Sequence, residues 1–206
     1  MVKRAFAAIG VVVSVMAPLS AVAATDRPNV EYSADQTIET EAAAMKGKVY
    51  ATPTRERREM SQGGTKMIMI ARHDKKVVWT LMPEEKMYME MPMKDSAEKT
   101  DMSAYKIEQT PLGEEKLDGQ VMDKSKIVMT HSSGSKMGGF MWTTKQGILA
   151  KMDAIAVDKG SKNRFKMEQT NIKVGKQPAD LFEIPKGFQV MNMGGMGDML
   201  KGMMGR

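Results

Sequence analysis

The chain has 206 residues, 24 methionines, two histidines, no cysteine and a formal charge of +6. Without cysteine there is neither a disulfide nor a thiolate metal site. The modest basic excess has no cluster interleaved with aromatic residues, which excludes a nucleic-acid footprint.

The first residues read as an address. Met1-Val2-Lys3-Arg4 is basic, an apolar stretch follows to Leu19, and Ala21-Val22-Ala23-Ala24 supplies small residues for cleavage. Residues 1–24 are expected to be a secretory signal peptide, too short and wrongly flanked for a membrane span. Loss of Lys3 and Arg4 leaves +4 on the mature chain. No cysteine follows the cleavage point, so a lipoprotein is not expected. The periplasm is the first expectation for its location, full secretion the second.

Residues 29–39 alternate, with Val30, Tyr32 and Ala34 on one face and Glu31, Ser33 and Asp35 on the other. Residues 45–51 continue as strand, although 41–45 could equally start a helical turn. Residues 54–61 are polar but extended, and Arg55, Arg57 and Arg58, interspersed with Glu56 and Glu59, read as a solvated strand face. Gln62-Gly63-Gly64-Thr65 is a hairpin turn by composition. Residues 66–71, 77–82 and 87–93 make three strands joined by tight polar turns, an antiparallel meander. Residues 92–103 are the best candidate for a helix or long loop. Residues 105–111 read as a strand and 112–119 as a bend. Residues 120–130 make a strand, 132–139 a glycine-serine turn, and 140–143 with 148–157 a hairpin across Lys145-Gln146-Gly147. Residues 164–174 are the last long strand. Leu181-Phe182-Glu183-Ile184-Pro185 then docks apolar residues, and the chain from Gly194 onward is a low-complexity Met/Gly stretch. Nine to eleven short strands at this spacing indicate an all-β sandwich or barrel.

The order of these pieces resembles a known family. The charged turn leading into Val77-Val78-Trp79-Thr80-Leu81-Met82-Pro83 and then Glu85-Lys86-Met87-Tyr88 is one piece. The bend Leu112-Gly113-Glu114-Glu115-Lys116-Leu117-Asp118-Gly119, the strand Phe140-Met141-Trp142-Thr143 and the closing Leu181-Phe182-Glu183-Ile184-Pro185-Lys186-Gly187-Phe188 are the others. Together they resemble an uncharacterised family of bacterial periplasmic domains related to the LolA/LolB lipoprotein carriers. The resemblance spans residues 30–190. It implies an all-β fold with minor helices, a strongly curved antiparallel sheet forming an unclosed half-barrel, whose concave face holds acyl chains in the carriers. The implied organisation is signal peptide 1–24, half-barrel 25–190 and Met/Gly-rich tail 191–206.

Catalytic motifs are sparse. His73 and His131 both read as surface turn histidines, and a triad from Asp74, His131 and Ser132 is disfavoured because adjacent strand residues point to opposite faces. There is no nucleophile elbow, phosphate loop or zinc-protease motif, so no enzyme and no cofactor are expected. The methionines carry the chemistry instead. Period-2 spacing puts Met87, Met89 and Met91 on one strand face, against Lys86, Tyr88 and Glu90. Met67 and Met69 repeat the device. Such a stripe serves a packed core, or a cavity that accepts apolar ligands of variable shape. The expected ligand-binding residues are Met67, Met69, Trp79, Leu81, Met87, Met89, Met91, Met129 and Trp142. The expected partner is an apolar ligand such as a lipid or lipoprotein acyl chain, with transient membrane-surface contact. The alternative places Cu(I) or Ag(I), or an oxidant, on the tail methionines Met191, Met193, Met196 and Met199, because thioethers are soft ligands and oxidise reversibly.

Overall fold

The computed structural model describes residues 27–93, 105–131, 134–158 and 160–191. The expected signal peptide, the expected helix or loop at 92–103 beyond Met93, and the tail beyond Met191 lie outside the described residues. The strands are β1 (Tyr32–Thr40), β2 (Ala44–Thr52), β3 (Arg55–Gln62), β4 (Thr65–Arg72), β5 (Val77–Met82), β6 (Met87–Pro92), β7 (Tyr105–Leu117), β8 (Gln120–His131), β9 (Lys136–Thr143), β10 (Leu149–Asp158), β11 (Ser161–Val174) and β12 (Gln189–Val190). Among the described residues, one 3-10 turn spans Ala179–Phe182.

All twelve strands belong to one sheet, ordered β12-β6-β5-β4-β3-β2-β1-β11-β10-β9-β8-β7. Every ladder is antiparallel except the two-residue parallel pairing of β12 on β6. β7 and β12 end the sheet without meeting, so it is unclosed. The edge strand β7 is protected by exposed charges (Lys106, Glu108, Glu114, Lys116) and by a bulge between Pro111 and Gly113, which blunt an edge against pairing with another chain. The expected bend at 112–119 resolves into that bulge, inside one long strand, and the Asp118-Gly119 turn that joins β7 to β8.

Chain length requires the sheet to curl. β6 and β7 are consecutive in sequence but ten strand intervals apart in the sheet. Laid flat, that is about 48 Å at ~4.8 Å per strand. The chain from Met93 to Tyr105 spans only about 40 Å when fully extended. Two glycines mark creases. A Cβ on Gly47 of β2 would lie 1.7 Å from the Glu59 carbonyl oxygen of β3. One on Gly139 of β9 would lie 2.1 Å from the Asp153 carbonyl oxygen and 2.5 Å from Ala154 Cα of β10. Backbones approach this closely only where a strand has no side chain to interpose. Residues 138 and 139 therefore belong to β9, not to the glycine-serine turn read from composition.

Register defines the two faces. Ile38, Met45, Met60, Ile127, Met129, Met141, Met152, Ala154 and Met167 form one buried cluster on the face that Gly47 and Gly139 share, which is the concave face. On β8–β11 the opposite, convex side is solvated at Lys126, Phe140, Ile155, Lys166 and Glu168, beside a small buried cluster of Met122, Trp142 and Ala150.

On β3–β6 the convex side is covered by residues 178–190. Phe182 is fully buried against Ile70, Trp79 and Leu81, with Leu181, Ile184 and Phe188 packed around it. Two arginines hold the turn by its orphan carbonyls. Arg57 Nη1 donates to Leu181 O at 2.9 Å, and Arg72 Nη1 donates to Phe182 O at 3.0 Å. Arg72 also bonds Asp74 with both its Nε and Nη2, each at 2.8 Å. Its guanidinium holds the Asp74 carboxyl down at about 2. The expected docking of Leu181-Phe182-Glu183-Ile184-Pro185 takes this form, and β12 then extends the segment along β6.

Candidate functional site

The concave face carries a methionine on nearly every strand. Following cross-strand partners, it holds Met45, Met60, Met67, Met69, Met82, Met87, Met89, Met91, Met129, Met137, Met141, Met152 and Met167. Among the described strand methionines only Met122 lies on the other face, opposite Glu115. The bank on β9–β11 is closed at Met141, Met152 and Met167, which are 8%, 1% and 1% exposed, while Met137 is half-buried. The bank on β4–β6 is half-buried at Met67, Met69, Met82, Met87, Met89 and Met91. Unbranched thioether side chains repack around differently shaped partners at low cost, so the half-buried bank is a surface on which an apolar chain can lie.

The nine expected binding residues do not share one face. Met67, Met69, Met87, Met89, Met91 and Met129 are concave. Trp79 and Leu81 pair with Ile70 and Ile68 on the convex side and are buried under Phe182. The Trp79 indole N–H donates to Glu90 Oε2 at 2.8 Å. Trp142 is also convex, opposite Lys124 and Lys151, whose ammonium groups lie 4.9 and 5.5 Å from its ring centroid. Strand alternation separates these three from the methionines: Thr80 and Met141, their sequence neighbours, are the concave residues.

Two arginines read as solvated are buried: Arg57 at 8% and Arg58 at 3% exposure. The segment Arg55-Glu56-Arg57-Arg58-Glu59 is spaced so that each of these two arginines has a carboxylate two residues away on its own face of β3. Arg57 pairs with Glu59 at 2.6 Å on the convex side, and Arg58 Nε donates to Glu56 Oε1 on the concave side. That i,i+2 pairing of opposite charges is the signal that burial was feasible, and composition alone hides it.

Arg58 and Glu56 belong to a polar nest with Tyr32, Gln36 and Gln169, all concave by register. Burial raises the Glu56 carboxyl, but the charge and hydrogen bond of Arg58 outweigh it, so its pKa lies below the usual range. Burial, then the charge of Glu56, pushes the Tyr32 hydroxyl up to about 12, against the opposing effects of Arg58 and Gln169. Four polar atoms of the nest are buried without a hydrogen-bond partner: Gln36 Nε2, Gln36 Oε1, Arg58 Nη1 and Gln169 Oε1. Each such atom costs about 1–3 kcal/mol when left unmet. The nest lies between Met69 on β4 and Met167 on β11, so the concave face is amphipathic. Nothing in the sequence pattern singles out Gln36 or Gln169.

The histidines are not simple surface groups. His73 is half-buried, its Nδ1 lies 3.1 Å from Met93 Sδ, and burial lowers its pKa. His131 ends β8 and is half-buried as well. Of the tail methionines, Met191 donates its N–H to Tyr88 O at 2.7 Å, and Met193, Met196 and Met199 lie outside the described residues. Among the described residues, no group of three or more histidine or carboxylate side chains could hold a metal ion.

Comparisons with known proteins agree with this architecture. An uncharacterized conserved protein from Thermus thermophilus is similar over 84% of this chain and 95% of its own, with a TM-score of 0.56 at 16% identity. MucB is similar over 84% of this chain, with a TM-score of 0.51 at 11% identity, and the match spans 63% of MucB. In the MucA/MucB complex of Pseudomonas aeruginosa the corresponding values are 87%, 0.50 and 13%, over 64% of that chain. At these identities the likeness is one of fold. No curated protein matches the sequence. The family profile described as "Domain of unknown function (DUF4412)" matches residues 34–154, more than half of the chain. This match makes the chain, with its unclosed twelve-stranded sheet, a member of the DUF4412 family.

Proposed function

We propose that this protein is an exported, extracytoplasmic, non-catalytic binding protein that holds an apolar ligand, the acyl chains of a lipid or lipoprotein, against its concave face. The observation that carries the reading is the segregation of thirteen methionines to one face of a sheet whose β4–β6 half is only partly buried. A core alone would be better specified by branched side chains, which have defined rotamers. Methionine suits a surface that must adapt to chains of varying length and bend. Each Å² of apolar surface buried contributes about 25 cal/mol, so an acyl chain laid along several strands binds without any reacting group.

N-phenyl-1-naphthylamine, a neutral fluorescent probe, tests the reading directly. The expected result is saturable uptake that is displaced by long-chain lipids and weakened by Met89→Asp at the half-buried bank. Absence of uptake by folded protein, together with a ligand-free native mass after purification from the periplasm, would overturn it. The Cu(I)/Ag(I) alternative on Met191, Met193, Met196 and Met199 is tested by the same protein truncated after Val190: unchanged Ag(I) binding would remove the tail from consideration.

A further inference from the structure

The convex side of β8–β11 is charged mainly in one sense. At the positions paired across these strands, β8 contributes Lys124 and Lys126, β9 contributes Lys136 and β10 contributes Lys151. Lys162, Arg164 and Lys166 come from β11. Against these seven cations the same positions hold two carboxylates, Asp153 and Glu168. The +4 expected of the mature chain is therefore concentrated on this face.

Three of the cations are already paired: Lys124 with Glu115 of β7 at 2.8 Å, Lys151 with Glu168 at 3.6 Å and Arg164 with Asp153 at 2.8 Å. Lys126, Lys136, Lys162 and Lys166 are exposed and make no salt bridge with a described residue. An apolar surface lies among them. Phe140 is 41% and Ile155 46% exposed, and Val128 and Val157 are half-buried beside them. Gly138 stands between Val128 and Ile155 in the register and raises no side chain to divide these groups. Apolar side chains gathered within a polar rim mark an interaction surface, where single ones would be ordinary.

We propose that the convex face of β8–β11 docks on an anionic lipid bilayer, with Phe140 and Ile155 at the headgroup boundary and the lysines around them on lipid phosphates. This surface lies across the sheet from the methionine lining and does not depend on what the concave face holds. Charge complementarity selects the occupant. Six of the seven cations are lysines, which are depleted from protein–protein interfaces but act as point charges toward phosphate. Lysine stems lie along apolar surface while their ammonium groups reach the headgroups. A convex face presents no groove to an inserted peptide, whereas a bilayer accepts apolar tips set among cations. A protein held this way keeps its concave side turned from the membrane and open to solvent.

The test is flotation of the full mature chain with vesicles of phosphatidylcholine alone and of phosphatidylcholine mixed with phosphatidylglycerol. Binding is expected to the mixed vesicles only, and to be lost in about 1 M salt, where charges are screened beyond about 3 Å. Lys126→Gln/Lys162→Gln should weaken it about 25-fold, about fivefold for each charge removed beside an anionic surface, while leaving uptake of N-phenyl-1-naphthylamine unchanged. The absence of cysteine lets one introduced thiol report the contact. A polarity-sensitive fluorophore on Ile155→Cys should shift to the blue on the mixed vesicles, and one on Glu84→Cys, in the exposed turn between β5 and β6, should not. Equal binding to neutral vesicles, or a double lysine variant that binds like wild type, would overturn the proposal. A shift at Glu84→Cys without one at Ile155→Cys would overturn the assignment of this face. Binding of soluble polyglutamate but not of mixed vesicles would assign the face to an acidic protein and overturn the membrane proposal, leaving the reading of the concave face untouched.

Discussion

Replacing Phe182 by alanine isolates the contribution of the C-terminal segment to the fold. The ring is fully buried against Ile70, Trp79 and Leu81, and the Arg55 guanidinium lies 5.1 Å above its centroid. Truncation removes the transfer energy of a fully buried ring and leaves a cavity, typically about 3–5 kcal/mol. Loss of the Arg55 contact adds about 0.5–1 kcal/mol. A destabilisation of about 4 kcal/mol is a large share of the ~5–15 kcal/mol available to a domain, and lowers Tm by roughly 8–16 °C at this size. Urea unfolding of Phe182→Ala in a Trp142→Phe background, read by fluorescence, follows Trp79 alone. The folded variant is expected to show red-shifted Trp79 emission, since its cover is lost. Because Phe182 packs on the convex face, probe uptake by the folded variant should persist. A loss under about 1 kcal/mol with unshifted emission would refute the packing of this segment.

Three other outcomes follow from the same geometry. Gly139→Ala should destabilise by more than about 2 kcal/mol, through the clash with Asp153 and Ala154, while Gly138→Ala should be tolerated, its nearest non-neighbour atom lying 3.8 Å away; equal melting temperatures would contradict the crease. Arg58→Met should cost about 3–5 kcal/mol by stranding Glu56, and the double variant Glu56→Leu/Arg58→Met should recover most of it, as read from a double-mutant cycle in urea. Asp74 is held at about 2 by Arg72, against an ordinary value of 3.8. Its contribution is therefore present above pH 3.8 and lost as pH falls toward 2. Because the carboxylate is partly exposed, the loss should be under about 1 kcal/mol. Melting from pH 5 to 2 should show Asp74→Asn with a shallower decline than wild type.

The concave and convex assignments show how far local pattern reaches. Alternation along Met87–Pro92 separates Met87, Met89 and Met91 from Tyr88 and Glu90, and the structure keeps that separation. The same alternation along Val77–Met82 places Trp79 and Leu81 together, but cannot state whether they accompany the methionines of the next strand. That depends on register: Met89 pairs with Thr80, not with Trp79. Likewise Arg57 and Arg58 read as polar because burial of a charge is decided by what is brought over it. Arg57 is covered by Leu181, 124 positions away, and Arg58 is buried on the other face beside Glu56.

By itself, then, the sequence determined the strand-rich fold, the hairpin turns, the docking of residues 181–185 and the two-faced character of each strand, because side-chain period and turn chemistry are local properties. Only the tertiary structure decided which face is concave, that Trp79, Leu81 and Trp142 stand apart from the methionines, and that Gln36, Arg58 and Gln169 meet. Register and curvature arise from contacts between residues distant in the chain, and the closest backbone approaches, at Gly47 and Gly139, exist only once the sheet has curled.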